Sequence, residues 1–430
     1  MQKNTGSLSM LDEPVYIGID LGTSGARVMG VSASGEVLTQ GRSALAEHGN
    51  DRRAPDVWWS AVCAALDKAL PAVVGRNISA ICVDATSGTL LPVAHDGSPL
   101  ATGSMYNDQC ADASILDTVS SVAPAQSAVH GPSSALARAL VLQKNHSPER
   151  IVHQADWIAG KLCDVYASDD NNALKTGYDS VAGQWPHWLV DTGLDTRLLP
   201  DVNPPGTPFS TISDATAFRF SLPAHTRLVA GTTDGCAAFL ATGASRSGDG
   251  VSSLGTTLTI KLLSDVPIFD PASGVYSHRI MNLWLAGGAS NTGGNVLLAH
   301  FDEEQINALS AQIDPDTDSG LNYYPLLRPG ERFPVADSTL MPRLSPEPAD
   351  RRLFLQGILE GIADIELQAY QRLGELGAPP LSSVRSVGGG ANSTAWTRLR
   401  ARRLQVPMPA SVNGEAAYGA ALLARFGLET

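Results

Sequence analysis

Residues 15–31, VYIGIDLGTSGARVMGV, decide how this chain of 430 residues is read. An apolar strand ends in Asp20, passes through a short loop of Gly, Thr and Ser, and resumes as a second strand at Ala26. Taken alone this is a tight hairpin turn. Its glycines also allow close approach of the backbone to a ligand, and its carboxylate stands at the mouth. Ser34-Gly35 turns the chain once more into EVLTQGR, which makes the opening a meander. Apolar residues at Val57, Ala61, Ala64, Ala65 and Leu66, with Pro55 just before them, predict a helix over 56–72. ISAICVDAT (78–86) then reads as a buried strand, since its apolar residues barely alternate. Strand, strand, strand, helix, strand predicts a mixed sheet with helices packed on it, hence an α/β fold.

The second half restarts the plan. GVSSLGTTLTIKLL (250–263) is two short strands around a Gly-Thr-Thr turn, and further strands follow in 274–288. Helices are expected over 292–300 and 350–375, and SVRSVGGGAN (383–392) runs from a strand into a glycine loop. The turn-rich segment 200–230 is the expected boundary between two related halves. The Pro-rich piece 325–348 carries enough aromatic and apolar residues to be an ordered surface excursion.

With 30 Lys+Arg against 43 Asp+Glu, the formal charge is −13. That argues against sequence-independent nucleic-acid binding, which relies on a basic surface. It leaves room for a nucleotide, because backbone N–H groups and Mg²⁺ hold phosphates without many cations. The five cysteines are scattered with no C-x-x-C pair, so neither a metal cluster nor a disulfide framework is expected. No run of eighteen apolar residues suggests a membrane span, and the first residues lack an apolar core of signal-peptide length. A cytoplasmic protein with a loose N-terminal extension over 1–13 is the expectation.

Three stretches share a pattern of strand into small residues: Asp20-Leu-Gly-Thr-Ser-Gly, Ser253-Leu-Gly-Thr-Thr and Gly388-Gly-Gly-Ala-Asn392. Each alone is a turn; together they supply donors for a triphosphate from both halves. Neither G-x-x-x-x-G-K-[ST] nor G-x-G-x-x-G occurs, which disfavours a P-loop NTPase or a simple dinucleotide dehydrogenase. In VAGTTDGCAAFLATGA (229–244), Asp234 follows a strand and precedes residues suited to a helix start. A carboxylate there is either an N-cap or a base for a hydroxyl attacking phosphorus.

With these loops assembled, the chain resembles the FGGY carbohydrate kinases of the actin, Hsp70 and hexokinase ATPase superfamily. IGIDLGTSGAR resembles the first phosphate motif, with Asp20, Thr23 and Arg27, and SSLGTT (252–257) the second, with Gly255, Thr256 and Thr257. GGGANSTAW (388–396) resembles the adenosine motif, which implies Gly389, Gly390 and Asn392 by the nucleotide and Trp396 against adenine. GTTDGCAA resembles the catalytic motif and implies Asp234 as general base. YPLLRPGERFP (324–334) and LQGILEGIADIELQAY (355–370) resemble two later family elements. The resemblance implies two ribonuclease H-like domains with an active-site cleft between them. Their expected bounds are 14–228 for sugar and phosphate and 229–412 for nucleotide, with a C-terminal helix over 413–430 packing back on the first. ATP and Mg²⁺ are the implied cofactors, the metal held near Asp20 and Asp234 through water. A small sugar is the implied partner, for a monomer or homodimer. One signature departs: where the family often has Lys and Trp, SALARALVLQKN (134–145) has Arg138 and Val141, read here as a packing variation.

The sugar loop reads VDATSGTLLPV (83–93), without the Gly-Gln-Met-His-Gly stretch of xylulokinases or the Asn-Gln-Arg-Glu stretch of glycerol kinases. ASDDNNALKTGYD (167–179) resembles a stretch of the short plant and cyanobacterial members that look like D-ribulose kinases. That likeness implies Ser87, Asn107, Asp108 and Asp170 beside Asp20 and Asp234 in the sugar pocket, and D-ribulose as first substrate. D-xylulose, L-ribulose or a polyol stays open as the substrate, as does an actin-like or Hsp70-like ATPase module with no sugar.

Overall fold

The computed structural model describes residues 13–429, so all but Glu13 of the expected N-terminal extension lies outside the described residues. The chain divides into two units. The first runs to Ala241 and includes Arg279–Met281 and the segment from Glu415 onward; the second takes Thr242–His278 and Asn282–Gly414.

The first unit opens with β1 (Pro14–Leu21), β2 (Gly25–Ser32) and β3 (Val37–Ala44), then α1 (Pro55–Ala69) and β4 (Asn77–Ala85). Pro55 suits the first turn of α1, where its missing N–H would have had no intrahelical partner. Next come β5 (Leu90–Val93), α2 (Ala113–Val122), α3 (Ala135–His146), β6 (Arg150–His153) and α4 (Gln154–Cys163). β7 (Ala167–Asp169), α5 (Asp170–Ala173), α6 (Trp188–Asp191) and β8 (Asp201–Asn203) follow. The series closes with β9 (Pro208–Thr211), α7 (Asp214–Phe220), β10 (Arg227–Thr233) and α8 (Asp234–Ala241).

Among the described residues the main sheet has the order β3-β2-β1-β4-β10-β9, and β5-β6 and β7-β8 form two small sheets. β1 lies antiparallel to β2, with Asp20 opposite Arg27, and parallel to β4, with Asp20 beside Asp84. β10 lies parallel to β4, with Thr232 beside Asp84. This pairing corrects the boundary expected at 229. β10 is an inner strand of the first sheet, so the chain leaves that unit only after α8.

The second unit repeats the hairpin: β11 (Asp249–Leu254) and β12 (Leu258–Ser264) pair antiparallel about Gly255, Thr256 and Thr257. β13 (Tyr276–Ile280), β14 (Leu283–Ala289), α9 (Gly294–Leu298), α10 (Glu303–Ser310), α11 (Arg351–Glu375), β15 (Ser383–Val387) and α12 (Thr394–Leu404) complete it. The sheet order is β13-β14-β12-β11-β15, with β15 parallel to β11. The helix expected over 292–300 is shorter than read, because Gly293 at φ 141° lies outside helical geometry. α11 begins where the Asp350 side chain accepts from the Arg352 and Leu353 amides and so caps the helix. The stretch 325–348 is ordered without helix or strand, pinned by fully buried Phe333 and by bridges between Tyr324 and Arg343 and between Glu331 and Asp337.

The last helix, α13 (Ala416–Glu429), belongs to the first unit and packs on β1 and α8. Glycine makes this possible. A Cβ at Gly18 would stand 1.9 Å from the Ala417 carbonyl oxygen, and one at Gly419 would stand 1.8 Å from that of Ala237. Each unit has its own apolar core: one around Ile17, Ile19, Trp58 and Ile81, the other around Ile260, Phe333, Phe354 and Leu399. No helix among the described residues is long and apolar enough to cross a membrane, and the five cysteines are free.

Candidate active site

β1, β4 and β10 are parallel neighbours, and each ends in a carboxylate: Asp20, Asp84 and, one residue past its strand, Asp234. Ligands of open α/β sheets bind outside the carboxyl ends of their strands. Asp20 is buried and accepts from Arg27 Nη1 at 3.1 Å. Burial pushes its carboxyl upward and the negative Asp234 adds to this, while Arg27 pulls it back. Asp84 has no exposure and no hydrogen-bond partner at either oxygen. Burial, then the charges of Asp20 and Asp234, push it well above the usual carboxylate range. Asp234 opens α8, half-buried, and its Oδ1 accepts from the Gly235 amide at 2.7 Å.

The turn after β4 carries the predicted sugar contact. Thr86 and Thr89 close it, with the Thr89 amide on the Thr86 carbonyl, and Gly88 at φ +80° supplies the left-handed position that a type II turn requires. Ser87 stands at its apex, with its Oγ buried and lacking a hydrogen-bond partner. Thr86 Oγ1 donates to Gln154 Oε1 at 2.6 Å, so the turn is held from below. Asp170, 2% exposed at the start of α5, faces the Arg279 guanidinium at 3.4 Å. Burial pushes its carboxyl up to about 6, against the pull of Arg279 and with a further rise from Asp169.

Other predicted residues stand differently. Asp108 is gripped by both Nη atoms of Arg53, at 2.7 and 2.6 Å, and by the Met105 amide. Burial raises its carboxyl, but those donors outweigh burial and hold it low, so its oxygens are already engaged. Asn107 beside it is exposed. Arg27, implied at the nucleotide, bridges Asp20 and Glu415 (3.3 Å) instead, because two carboxylates meet its guanidinium fork there. Thr23 is exposed at the tip of the β1–β2 hairpin.

In the second unit a cavity of about 580 Å³ is lined by Gly255, Thr256, Gly389, Gly390 and Asn392 with the apolar Leu254, Leu297 and Leu359. Thr257 does not line it; its Cα would stand 2.6 Å from a Cβ on Gly293. Trp396 forms the cavity wall from within the core. It is 3% exposed, its indole N–H donates to the Leu359 carbonyl, and a Cβ at Gly390 would meet its ring at 2.3 Å. That glycine therefore gives the loop its close seat on the indole, and the ring is not a free platform for a base.

Glu331, from the GERFP element, is buried beneath this cavity loop. It accepts from Ser290 Oγ at 2.6 Å and from the Asn291 amide at 2.7 Å. Thr292 then holds Leu258 through a backbone bond of 2.8 Å, and the Gly294 amide holds the Gly255 carbonyl at 2.8 Å. Glu331 thus fixes the Gly255–Thr257 turn through the strand end that follows β14.

Sequence reading passed over two polar groups. Asp84 lies in an apolar run as Asp20 does, and that interruption is a readable signal. Ser310, whose Oγ is buried without a partner on the cavity wall, carries no signal of its own in a helix of mixed character.

Each unit is of α/β build and opens on a hairpin with a small-residue turn, and the first carries carboxylates at the ends of its parallel strands. Residues 250–428 match the FGGY family of carbohydrate kinases, C-terminal domain. A xylulose kinase of Streptomyces rubiginosus is 27% identical over 448 residues, covering 97% of this chain and 89% of that protein. A gluconokinase of Bacillus licheniformis is 21% identical over 424 residues, 90% of this chain and 82% of the relative. In fold, the chain is similar to the crystal structure of a xyloylose kinase from Brucella ovis. The TM-score there is 0.83 at 22% identity, over 96% of this chain and 90% of the other. The stretch 250–428 therefore belongs with the C-terminal domain of the FGGY carbohydrate kinases.

Proposed function

We propose that this kinase transfers the γ-phosphoryl group of ATP to the terminal hydroxyl of a ketopentose, D-ribulose first. The carrying observation is the set of carboxylates at the ends of β1, β4 and β10, beside the unpartnered Ser87 hydroxyl. Asp234 takes the proton of the attacking hydroxyl. The new O–P bond forms as the bond to the bridging oxygen breaks, and ADP leaves with that electron pair. A general base of this kind contributes about 10²–10⁴-fold. Buried groups such as Ser87 and Asp170 suit a polyhydroxy substrate, because each left unpaired costs about 1–3 kcal/mol.

Mg²⁺ neutralises phosphate charge when it is bound with the nucleotide. Asp20 and Asp234 are the residues that would hold it, through water. The donor set fits: Mg²⁺ keeps several waters and takes one or two carboxylates plus phosphates. No group of three or more His, Cys, Asp or Glu among the described residues is arranged as a cage. The cavity beside Gly389, Gly390 and Asn392 suits the adenosine, with backbone and hydroxyl donors of Gly255 and Thr256 near its phosphates. A kinase that consumes ATP and a free sugar belongs in the cytoplasm, where both are kept.

D-xylulose is the second reading, favoured by relatives named xylulose kinase that align along nearly the whole chain. Coupled ADP release over D-ribulose, D-xylulose, L-ribulose, gluconate and polyols separates the readings. The highest kcat/KM is expected on D-ribulose; a preference for gluconate or a polyol contradicts the ketopentose assignment. A separate expectation concerns Glu331. Glu331→Ala should raise KM for ATP about tenfold or more, the scale of losing charge-assisted hydrogen bonds. KM for the sugar should hold, both read from initial rates.

A further inference from the structure

Arg138 is buried in α3, at 4% exposure, yet no carboxylate among the described residues forms an ion pair with it. Its fork is spent on the backbone of three loops. Nη2 donates to the Gly88 carbonyl at 2.7 Å and, more weakly, to that of Ser133 at 3.4 Å; Nη1 donates to the Ser104 carbonyl at 2.9 Å and to Ser104 Oγ at 3.1 Å. A buried cation with no carboxylate in direct contact carries a desolvation cost; here burial lowers its affinity for the proton to about 10, and the more distant Asp108 charge offsets only part of that. A planar fork can bind two carbonyls at once with little loss of side-chain freedom. Those carbonyls belong to the turn that presents Ser87 and to the segment that leads to Asn107 and Asp108.

We infer that Arg138 is a positioning residue for sugar recognition: it clamps the Thr86–Thr89 turn to the Ser104 segment and so fixes the hydroxyl of Ser87. The inference rests on the reading that the sugar lies against Ser87. The turn's other ties do not replace the clamp. Thr86 and Gln154 hold its first residue, while the Gly88 carbonyl, itself buried, has Arg138 as its donor. With that donor gone, the peptide after Gly88 rotates to find another, and the turn that carries the apex hydroxyl shifts with it. No part of the nucleotide cavity is touched, since its lining comes entirely from the second unit.

The test compares Arg138→Met, Arg138→Lys and Ser87→Ala by initial rates in sugar and in ATP, with thermal unfolding alongside. Arg138→Met is expected to raise KM for the sugar by about 10- to 100-fold, the scale of losing charge-assisted hydrogen bonds. KM for ATP should stay within about twofold of the wild-type value, because the nucleotide donors are elsewhere. Arg138→Lys should recover part of the loss, since one ammonium reaches one carbonyl firmly and not both. A merely structural role would lower the unfolding temperature and the active fraction while leaving both KM values alone, and that result overturns the inference. If Arg138→Met does not fold, Arg138→Lys carries the test, and an unchanged sugar KM in it is equally contrary. Ser87→Ala reports on the underlying reading: an unchanged sugar KM there contradicts the placement of sugar at this turn. A raised KM in Ser87→Ala with an unchanged one in Arg138→Met contradicts the clamp alone.

Discussion

Asp234→Asn is expected to lower kcat about 10²–10⁴-fold, the span of a lost general base, with ATP affinity retained. Asparagine keeps the shape and still offers an oxygen to the Gly235 amide that Asp234 Oδ1 now accepts from. α8 therefore keeps its start, and a fall in rate cannot be assigned to a frayed helix. What disappears is the ability to take a proton from the attacking hydroxyl. The cavity proposed for the nucleotide draws on none of this, being lined from the second unit, so titration of ATP should give a near-wild-type dissociation constant. Sugar phosphate formed at close to the wild-type rate would remove Asp234 from the mechanism.

The largest stability effect should come from Arg400→Met. Arg400 and Glu366 have no side-chain exposure and meet through two bonds, Nε to Oε2 at 2.6 Å and Nη2 to Oε1 at 2.7 Å. The pair also fastens the strands that lead into the glycine loops at Gly255 and Gly388. Ser252 of β11 donates to Glu366, and Arg400 Nη1 donates to Ser386 Oγ of β15 at 2.6 Å. Removing one partner leaves the other charge buried and unpaired, which costs about 3–5 kcal/mol. Against a total of about 5–15 kcal/mol, that loss brings the fold near its limit. Calorimetry should show a large fall in the unfolding temperature. Pairing the change with Glu366→Leu should return most of it, because no lone charge then remains. An unfolding temperature unmoved by Arg400→Met would contradict this account of the pair.

Much of the frame was legible because polar residues interrupt apolar runs. Asp20 stands out in VYIGID, and Asp234 between a strand and a run of small residues, so both could be placed at strand ends before any coordinates. Asp84 sends the same signal in ISAICVDAT and was read only as part of a buried strand. The limit of the first unit was not legible. β10 joins the sheet beside β4, with Val229 against Cys82, and nothing local to 200–230 announces a parallel partner so far back along the chain. Arg138 shows a second kind of blindness. Its partners are backbone carbonyls, 34 and 50 residues away at Ser104 and Gly88, and a carbonyl has no sequence identity. Glu331 likewise acts on Ser290 and Asn291 across 41 and 40 residues. For Trp396 the residue type shows an aromatic beside a glycine loop but not its burial: it fills the core under Gly390. Nor does the sequence show that Asp108 is held by Arg53, 55 residues away.

The central claim is that ATP and a ketopentose yield a sugar phosphorylated at its terminal carbon. Phosphorus NMR of the reaction, run with D-ribulose and in parallel with D-xylulose, tests it most directly. The expected result is a phosphate ester coupled to the C5 protons, formed in step with ADP and absent from Asp234→Asn. Release of inorganic phosphate alone with every ketopentose, or an ester at another carbon, would contradict it.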